Sequence, residues 1–485
     1  MRSNVPGMIR KSMKLHVFII ILLAVSVKVF GKGQDQGYHI KIQIDHFKDT
    51  MAYLGYHFGD QKFVKDTSKV FPNNVLDFKG EEELKPGIYF IYSPSVYFEI
   101  LVKEQNFEIQ TDTMDLINHM KVINSPENLL FNQFQRFMAE KQKLSVDIEQ
   151  KINELDKVRD SVQIVTLRNQ QLEIGKEIEA FQQNIIDKNP GSFVTTLLLA
   201  MKKPKVPDPP KEKNGVVTNN NFQFYYYKNH FFDHFNLSDP ALLRTPLYQS
   251  KIDEYIEKLT YQHPDSISKT ADYLLGKAAH NDETFRYMLV KLTNKYETSN
   301  IMGMERVFVY LAENYYLNGK AFWADSSLVA KFDKRVKELK PNLVGNTAPD
   351  MILRDTLLRP VHLSAIDSRF IVLYFYDPDC GHCKKSTPKL RNSYERLKQK
   401  NVEVLAACTV TDIEKWKAYI RDNHLTWINA ADPYYQSNFR ADYDIKTTPA
   451  IYVLNKNKEI IAKRIGVEQI EDFIDRMIEI ENNKS

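Results

Sequence analysis

The chain has 485 residues, of which 43% are apolar and 26% charged, the make-up of an ordinary globular protein with room for about three domains. Its net charge is only +4, the two signs are interspersed, and no basic block or aromatic–basic ladder occurs, all of which argues against a nucleic-acid partner. Three cysteines are too few for a disulfide scaffold, so a close pair among them reads as reactive rather than as a staple.

At the N-terminus, Arg2, Arg10, Lys11 and Lys14 precede an apolar run of about 13 residues, Leu15 to Val27. That run is short for a membrane span and fits a signal peptide over 1–31, with Val29-Phe30-Gly31 as a loose cleavage site and retention as a membrane anchor the alternative. Residues 36–118 then read as a small β-sandwich. Tyr38 to Ile44 alternates with period two, and Ile88-Tyr89-Phe90-Ile91-Tyr92, after the turn Lys85-Pro86-Gly87, suits a strand covered on both faces. Val96–Val102 and Phe107–Ile109 supply further strands.

From 125 to 340 the pattern is α-helical. Leu144, Ile148, Ile152, Leu155, Val158 and Val162 recur every three or four residues, which predicts one long amphipathic helix. Leu172, Ile178, Phe181 and Ile185 continue it after a shift of register. The stripe packs on a partner helix of the same chain or, alternatively, forms a homodimer seam. Lys202 to Lys211, rich in proline, must be an exposed loop. Beyond it, His230 and His234 stand at metal-sharing spacing if helical, but no third ligand is identifiable and the aromatics between them point to core packing. No metal and no cofactor is expected.

The last third, 341–485, carries the chemistry. Phe370 to Tyr376 reads as a buried strand, Lys384 to Lys398 as a helix, and Cys380-Gly381-His382-Cys383 lies at their junction. Two cysteines at this spacing can close a small disulfide ring, and the first meets the unpaired N–H groups of a helix start, which favour a thiolate. Protonated His382, Lys384 and Lys385 would add to that effect, and Asp377 and Asp379 would oppose it. A zinc half-site would need a second ligand pair, and only Cys408, in the strand-like run 402–410, and a lone His424 remain. Cys408 reads as a buried small hydrophobe.

Together these residues resemble the thioredoxin fold. Phe375, Cys380, Gly381, Cys383 and Pro388 fall where that family carries its strand aromatic, redox pair and helix-kinking proline, and Thr447-Thr448-Pro449, about 65 residues on, resembles its cis-proline loop. Asn342 to Pro349 resembles the opening of TlpA/ResA-type envelope domains, and the β region resembles the N-terminal domain of multi-domain Gram-negative envelope relatives. The resemblance implies a multi-domain protein: an N-terminal β-sandwich, an α-helical middle domain and a C-terminal α/β thioredoxin-like fold. It implies an exported thiol–disulfide oxidoreductase of the periplasm or cell envelope. Its redox-active pair, Cys380 as attacking thiolate and Cys383 as resolving thiol, would alternate between dithiol and disulfide bond, with Thr448 and Pro449 holding the substrate backbone. The expected partners are protein thiol substrates and a redox partner in the membrane or periplasm. Cys-Gly-His-Cys also matches the dipeptide of protein disulfide isomerases, which places the potential nearer about −180 mV than −270 mV. One departure stands out: thioredoxins keep a buried acid six residues before the first cysteine, where this chain has Tyr374, whose phenol cannot serve as a base near neutral pH. Two alternatives are a scaffold with a vestigial thioredoxin domain and a peroxiredoxin-like peroxidase. The peroxidase would want a threonine where Asp377 or Pro378 stands.

Overall fold

The computed structural model describes residues 37–155, 160–212 and 217–483. Residues 1–31, read from the sequence as a signal peptide, and Val158 therefore lie outside the described residues.

Eight strands come first: β1 (Tyr38–Asp45), β2 (Met51–Phe58), β3 (Gln61–Phe71), β4 (Val75–Gly80), β5 (Gly87–Tyr92), β6 (Tyr97–Val102), β7 (Asn106–Asp112) and β8 (Lys121–Ile123). They form one sheet in the order β6-β5-β2-β3-β4-β1-β7-β8. The bend is at β3, which pairs with β2 along most of its length but with β4 only through Val70 and Phe71. Both halves feed one core, Ile40, Ile42, Phe78 and Ile109 meeting Leu54, Ile91, Phe98 and Ile100, so the sandwich is a single sheet folded on itself. In β1 the alternation of isoleucines with polar residues is the alternation of buried with open positions. Continuous apolarity in β5 and β6 has a different cause. Tyr89, Ile91 and Ile100 face the sheet's own core, and Ile88 and Leu101 face the helices. Asn128 covers the edge of β6, its amide giving and taking one hydrogen bond each with the backbone of Leu101, at 2.7 and 2.8 Å.

The middle of the chain is helical: α1 (Pro126–Glu154), α2 (Ser161–Lys188), α3 (Phe193–Met201), α4 (Phe222–Asn229), α5 (Pro240–Leu243), α6 (Leu247–Lys258), α7 (Pro264–Ala278), α8 (Asp282–Glu297), α9 (Glu305–Leu311) and α10 (Ser326–Leu339). The expected single long helix is instead two helices packed on each other. Leu155 is extended (φ −88°, ψ 147°), which ends α1 at Glu154. Ile148 of α1 packs with Leu167 and Ile174 of α2, Phe137 stacks on Phe181, and Val162 is 80% exposed, outside the stripe. The partner helix thus comes from the same chain. His230 and His234 both follow the end of α4 rather than sharing a helix face; His230 pairs with Asp233, and Phe231 and Phe232 between them are buried.

The C-terminal part comprises β9 (Ile352–Arg354), β10 (Pro360–His362), β11 (Phe370–Tyr376), α11 (Gly381–Gln399), β12 (Val402–Cys408), α12 (Ile413–Asp422), β13 (Ile428–Ala431), α13 (Phe439–Asp442), β14 (Ala450–Asn455), β15 (Ile460–Lys463) and α14 (Ile470–Asn482). Its seven strands run β10-β9-β13-β12-β11-β14-β15, with β11 parallel to β12 and antiparallel to β14. Every residue of β11 is buried because both faces are covered. Val372, Tyr374 and Tyr376 lie under α11, α12 and α14, and Ile371, Leu373 and Phe375 under α13 and the segment that enters the sheet.

Candidate active site

Cys380 caps the N-terminus of α11, as expected from the strand–helix junction, and its extended backbone (φ −65°, ψ 120°) turns the chain out of β11 into the helix. Its amide bonds back to Asp377 O at 3.1 Å and its carbonyl receives Lys384 N–H at 3.0 Å. Three residues on, Cys383 lies one helical turn inside and is fully buried, whereas Cys380 is half-buried. Pro388 sits within α11, where it removes one helical N–H. The Thr448–Pro449 peptide is cis, and the loop it forms lies against the cysteines: the Cys380 thiol donates to Thr448 O at 3.1 Å.

Electrostatically the two thiols are unlike. Partial burial pushes Cys380 up, but hydrogen bonds from the Cys383 N–H, the Thr448 hydroxyl, the Cys383 thiol and the His382 N–H outweigh it and hold Cys380 below the usual thiol value. Burial pushes Cys383 up to about 11, against the Asp377 N–H. It pushes Cys408, in the core of β12, to about 12. Of the two, the outer sulfur is the one whose surroundings favour the thiolate. His382 acts on Cys380 through its backbone, and its side chain is exposed, as are Gly381, Lys384 and Lys385. Of the two nearby acids, Asp379 pairs with Lys415, and the Asp377 carboxylate receives Asp379 N–H at 2.8 Å.

Where an acid would stand beneath the pair there is a set of hydroxyls. Tyr374 Oη and Thr387 Oγ1 are 2.9 Å apart and buried, and Tyr419 Oη donates to the same Thr387 oxygen at 2.9 Å. Burial holds the Tyr374 phenol far above its ordinary value, so it keeps its proton. Sequence reasoning found neither Thr387 nor Tyr419. Thr387 had a signal, since it lies four residues after Cys383 on the same face of α11.

The thiol asymmetry has a direct consequence. Iodoacetamide should label reduced Cys380 with a midpoint below that of an ordinary thiol, and leave Cys383 and Cys408 untouched until the pH nears about 11 and 12. Peptide mass spectrometry over a pH series checks this, and equal labelling of Cys380 and Cys383 at neutral pH would contradict it.

Residues 343–477 match the Redoxin family, and residues 149–337 match a Domain of unknown function (DUF5106). Thiol-disulfide oxidoreductase ResA of Bacillus cereus is 22% identical over 137 residues, covering 28% of this chain and 78% of that protein. The solved domain of a possible thiol-disulfide isomerase from Cytophaga hutchinsonii is 36% identical, with a TM-score of 0.28, covering 29% of this chain and 97% of that one. A thioredoxin-like protein from Bacteroides caccae is 18% identical, with a TM-score of 0.45 and coverage of 56% and 98%. A half-buried Cys380 capping a helix, with Cys383 buried one turn behind it and a cis-proline loop beside Cys380, in a domain that matches redoxins, makes this chain a thioredoxin-fold thiol–disulfide oxidoreductase.

Proposed function

We propose that the chain is exported to the periplasm or cell envelope and there exchanges a Cys380–Cys383 dithiol with the cysteines of protein substrates. The observation that carries this is the placement of Thr448: its carbonyl lies at the Cys380 sulfur, on a loop whose residues are partly open to solvent. An extended polypeptide can pair with such an edge while presenting its own sulfur to Cys380. Export is supported by the basic and then apolar N-terminal sequence.

In the reducing direction, the Cys380 thiolate attacks one sulfur of a substrate disulfide. A mixed disulfide forms and the other substrate sulfur leaves as a thiolate. Cys383 then gives its proton to that departing thiolate and attacks the Cys380 sulfur, breaking the mixed disulfide and releasing the second substrate sulfur as a thiolate, which takes a proton from water. The pair ends as a disulfide, and the substrate, two electrons richer, as a dithiol. Oxidation of a substrate runs the same steps backward, and a redox partner in the envelope resets the pair.

Equilibration of the purified protein in glutathione buffers, followed by counting of free thiols, tests the reading. The pair should open and close reversibly, at about −180 mV or above for a donor of disulfides and below about −250 mV for a reductant. A pair that neither forms nor breaks in any buffer overturns it.

A further inference from the structure

The cis-proline loop is held from outside its own domain. Arg335, on α10 of the helical region, makes a two-pronged ion pair with Asp444, Nη1 to Oδ1 at 2.9 Å and Nη2 to Oδ2 at 3.1 Å. Only 4% of the Asp444 side chain is exposed, and Asp444 has a positive φ of 48°, so the chain turns sharply three residues before Thr447. One turn along α10, Glu338 receives Arg335 Nη1 and Lys446 Nζ, both at 2.9 Å. Asn342, just after α10, donates to Asp442 O at 2.9 Å. Residues 442–446, the segment that runs into Thr447-Thr448-Pro449, are therefore gripped at three points by one helix and its C-terminal extension. Arg335 also stands in the wall of a groove of about 440 Å³ that Pro449, Ile451 and Val467 line, continuous with the loop.

We propose that the helical domain is part of the thiol-exchange site, with Arg335 and Glu338 as positioning residues that fix the cis-proline loop for an extended polypeptide substrate. The inference rests on the function proposed above. Its physical basis is the geometry of the grip. A bidentate guanidinium–carboxylate pair fixes orientation as well as distance, and here it is largely withdrawn from water. The loop needs such a support because a substrate pairing with the Thr448 backbone is sensitive to displacements of an ångström or less. A disulfide without amide groups, such as hydroxyethyl disulfide, cannot make that pairing, so it should be indifferent to the grip.

The test compares two oxidants on the full chain. Reduced wild type, Arg335→Met, Arg335→Lys and Asp444→Asn are each reacted with hydroxyethyl disulfide and with a disulfide-bonded peptide of about ten residues. In Arg335→Met and Asp444→Asn the second-order rate with the peptide should fall about ten- to a hundredfold, carried by KM, while the hydroxyethyl disulfide rate stays within about twofold of wild type and the redox potential is unchanged. Arg335→Lys keeps the charge without the fork and should recover only part of the loss. Unchanged hydroxyethyl disulfide rates also show that the variant thioredoxin domains are folded. Equal losses with both oxidants, or no loss with the peptide, would overturn the positioning role. Should wild type itself react with neither oxidant, it is the thiol-exchange reading that fails, a result distinct from either of those.

Discussion

Cys383→Ser is expected to stop the reaction halfway, leaving the protein joined to its substrates. The variant keeps Cys380, the half-buried sulfur that the N-terminus of α11 and Thr448 favour as a thiolate, so the first attack proceeds. It lacks the second sulfur, so the mixed disulfide cannot be resolved from within. In a non-reducing gel of an envelope extract this appears as a ladder of adducts that dithiothreitol collapses. Cys380→Ser should show no adducts and lose dithiol exchange by about a thousandfold or more, the scale on which loss of a covalent nucleophile acts. What remains in that variant is Cys383, whose thiol burial holds above its ordinary value, leaving very little thiolate at neutral pH. Adducts in Cys380→Ser and none in Cys383→Ser would reverse the assignment of the two roles. Cys408→Ser serves as the control: it is buried in β12 and should leave the ladder unchanged.

The site was legible in sequence wherever its parts are close along the chain. A fully buried strand, a CxxC and a kinking proline occupy consecutive residues, and the cis-proline loop announces itself by a proline just before another apolar strand. The period-two pattern of β1 and the unbroken apolarity of β5 were likewise readable, because burial on one face or on two writes directly into composition. Legibility fails in three physical situations. Strand β3 is mostly exposed and mixes charged with apolar residues, so it carries no alternation. The chain reverses between α1 and α2 with no glycine or proline to mark the place, and three- and four-residue spacing carries across the reversal as if the helix were unbroken. The third case is contact between distant residues. Arg335 and Asp444 are 109 residues apart, and Tyr419 reaches Thr387 across 32, so nothing local could pair them. The ion pair of Asp379 with Lys415, 36 residues away, is another such contact.

Glu305→Gln and Lys463→Met are each expected to destabilise the protein by about 3–5 kcal/mol, and a Glu305→Leu/Lys463→Met double variant to recover most of that loss. The pair joins α9 of the helical domain to β15 of the thioredoxin domain at 2.8 Å, with 6% and 1% of the two side chains exposed. Lys463 Nζ also donates to Asn342 O and Oδ1, at 3.0 and 2.7 Å. Taking both charges from water costs about as much as their attraction returns, so removing the pair is nearly neutral. Removing one partner strands a buried charge, and that is where the penalty arises. The pH dependence follows the lysine. Burial, opposed by Glu305, holds Lys463 below its ordinary value of 10.5 in the folded protein. Between its folded and unfolded values the unfolded chain binds more protons, so this contribution to stability grows as pH rises toward 10.5. Urea midpoints of wild type and Lys463→Met at pH 8 and 10 isolate that effect, because tyrosines and thiols titrating in the same range are common to both proteins. Tryptophan fluorescence reports both sides of the junction, through Trp323 in the helical domain and Trp416 and Trp427 in the thioredoxin domain. If the double variant is as unstable as either single one, the pair contributes specific docking energy rather than mutual neutralisation. If it recovers, the contact between the two domains rests on shape and on the Arg335–Asp444 grip, and the buried pair is tolerated only because each charge answers the other.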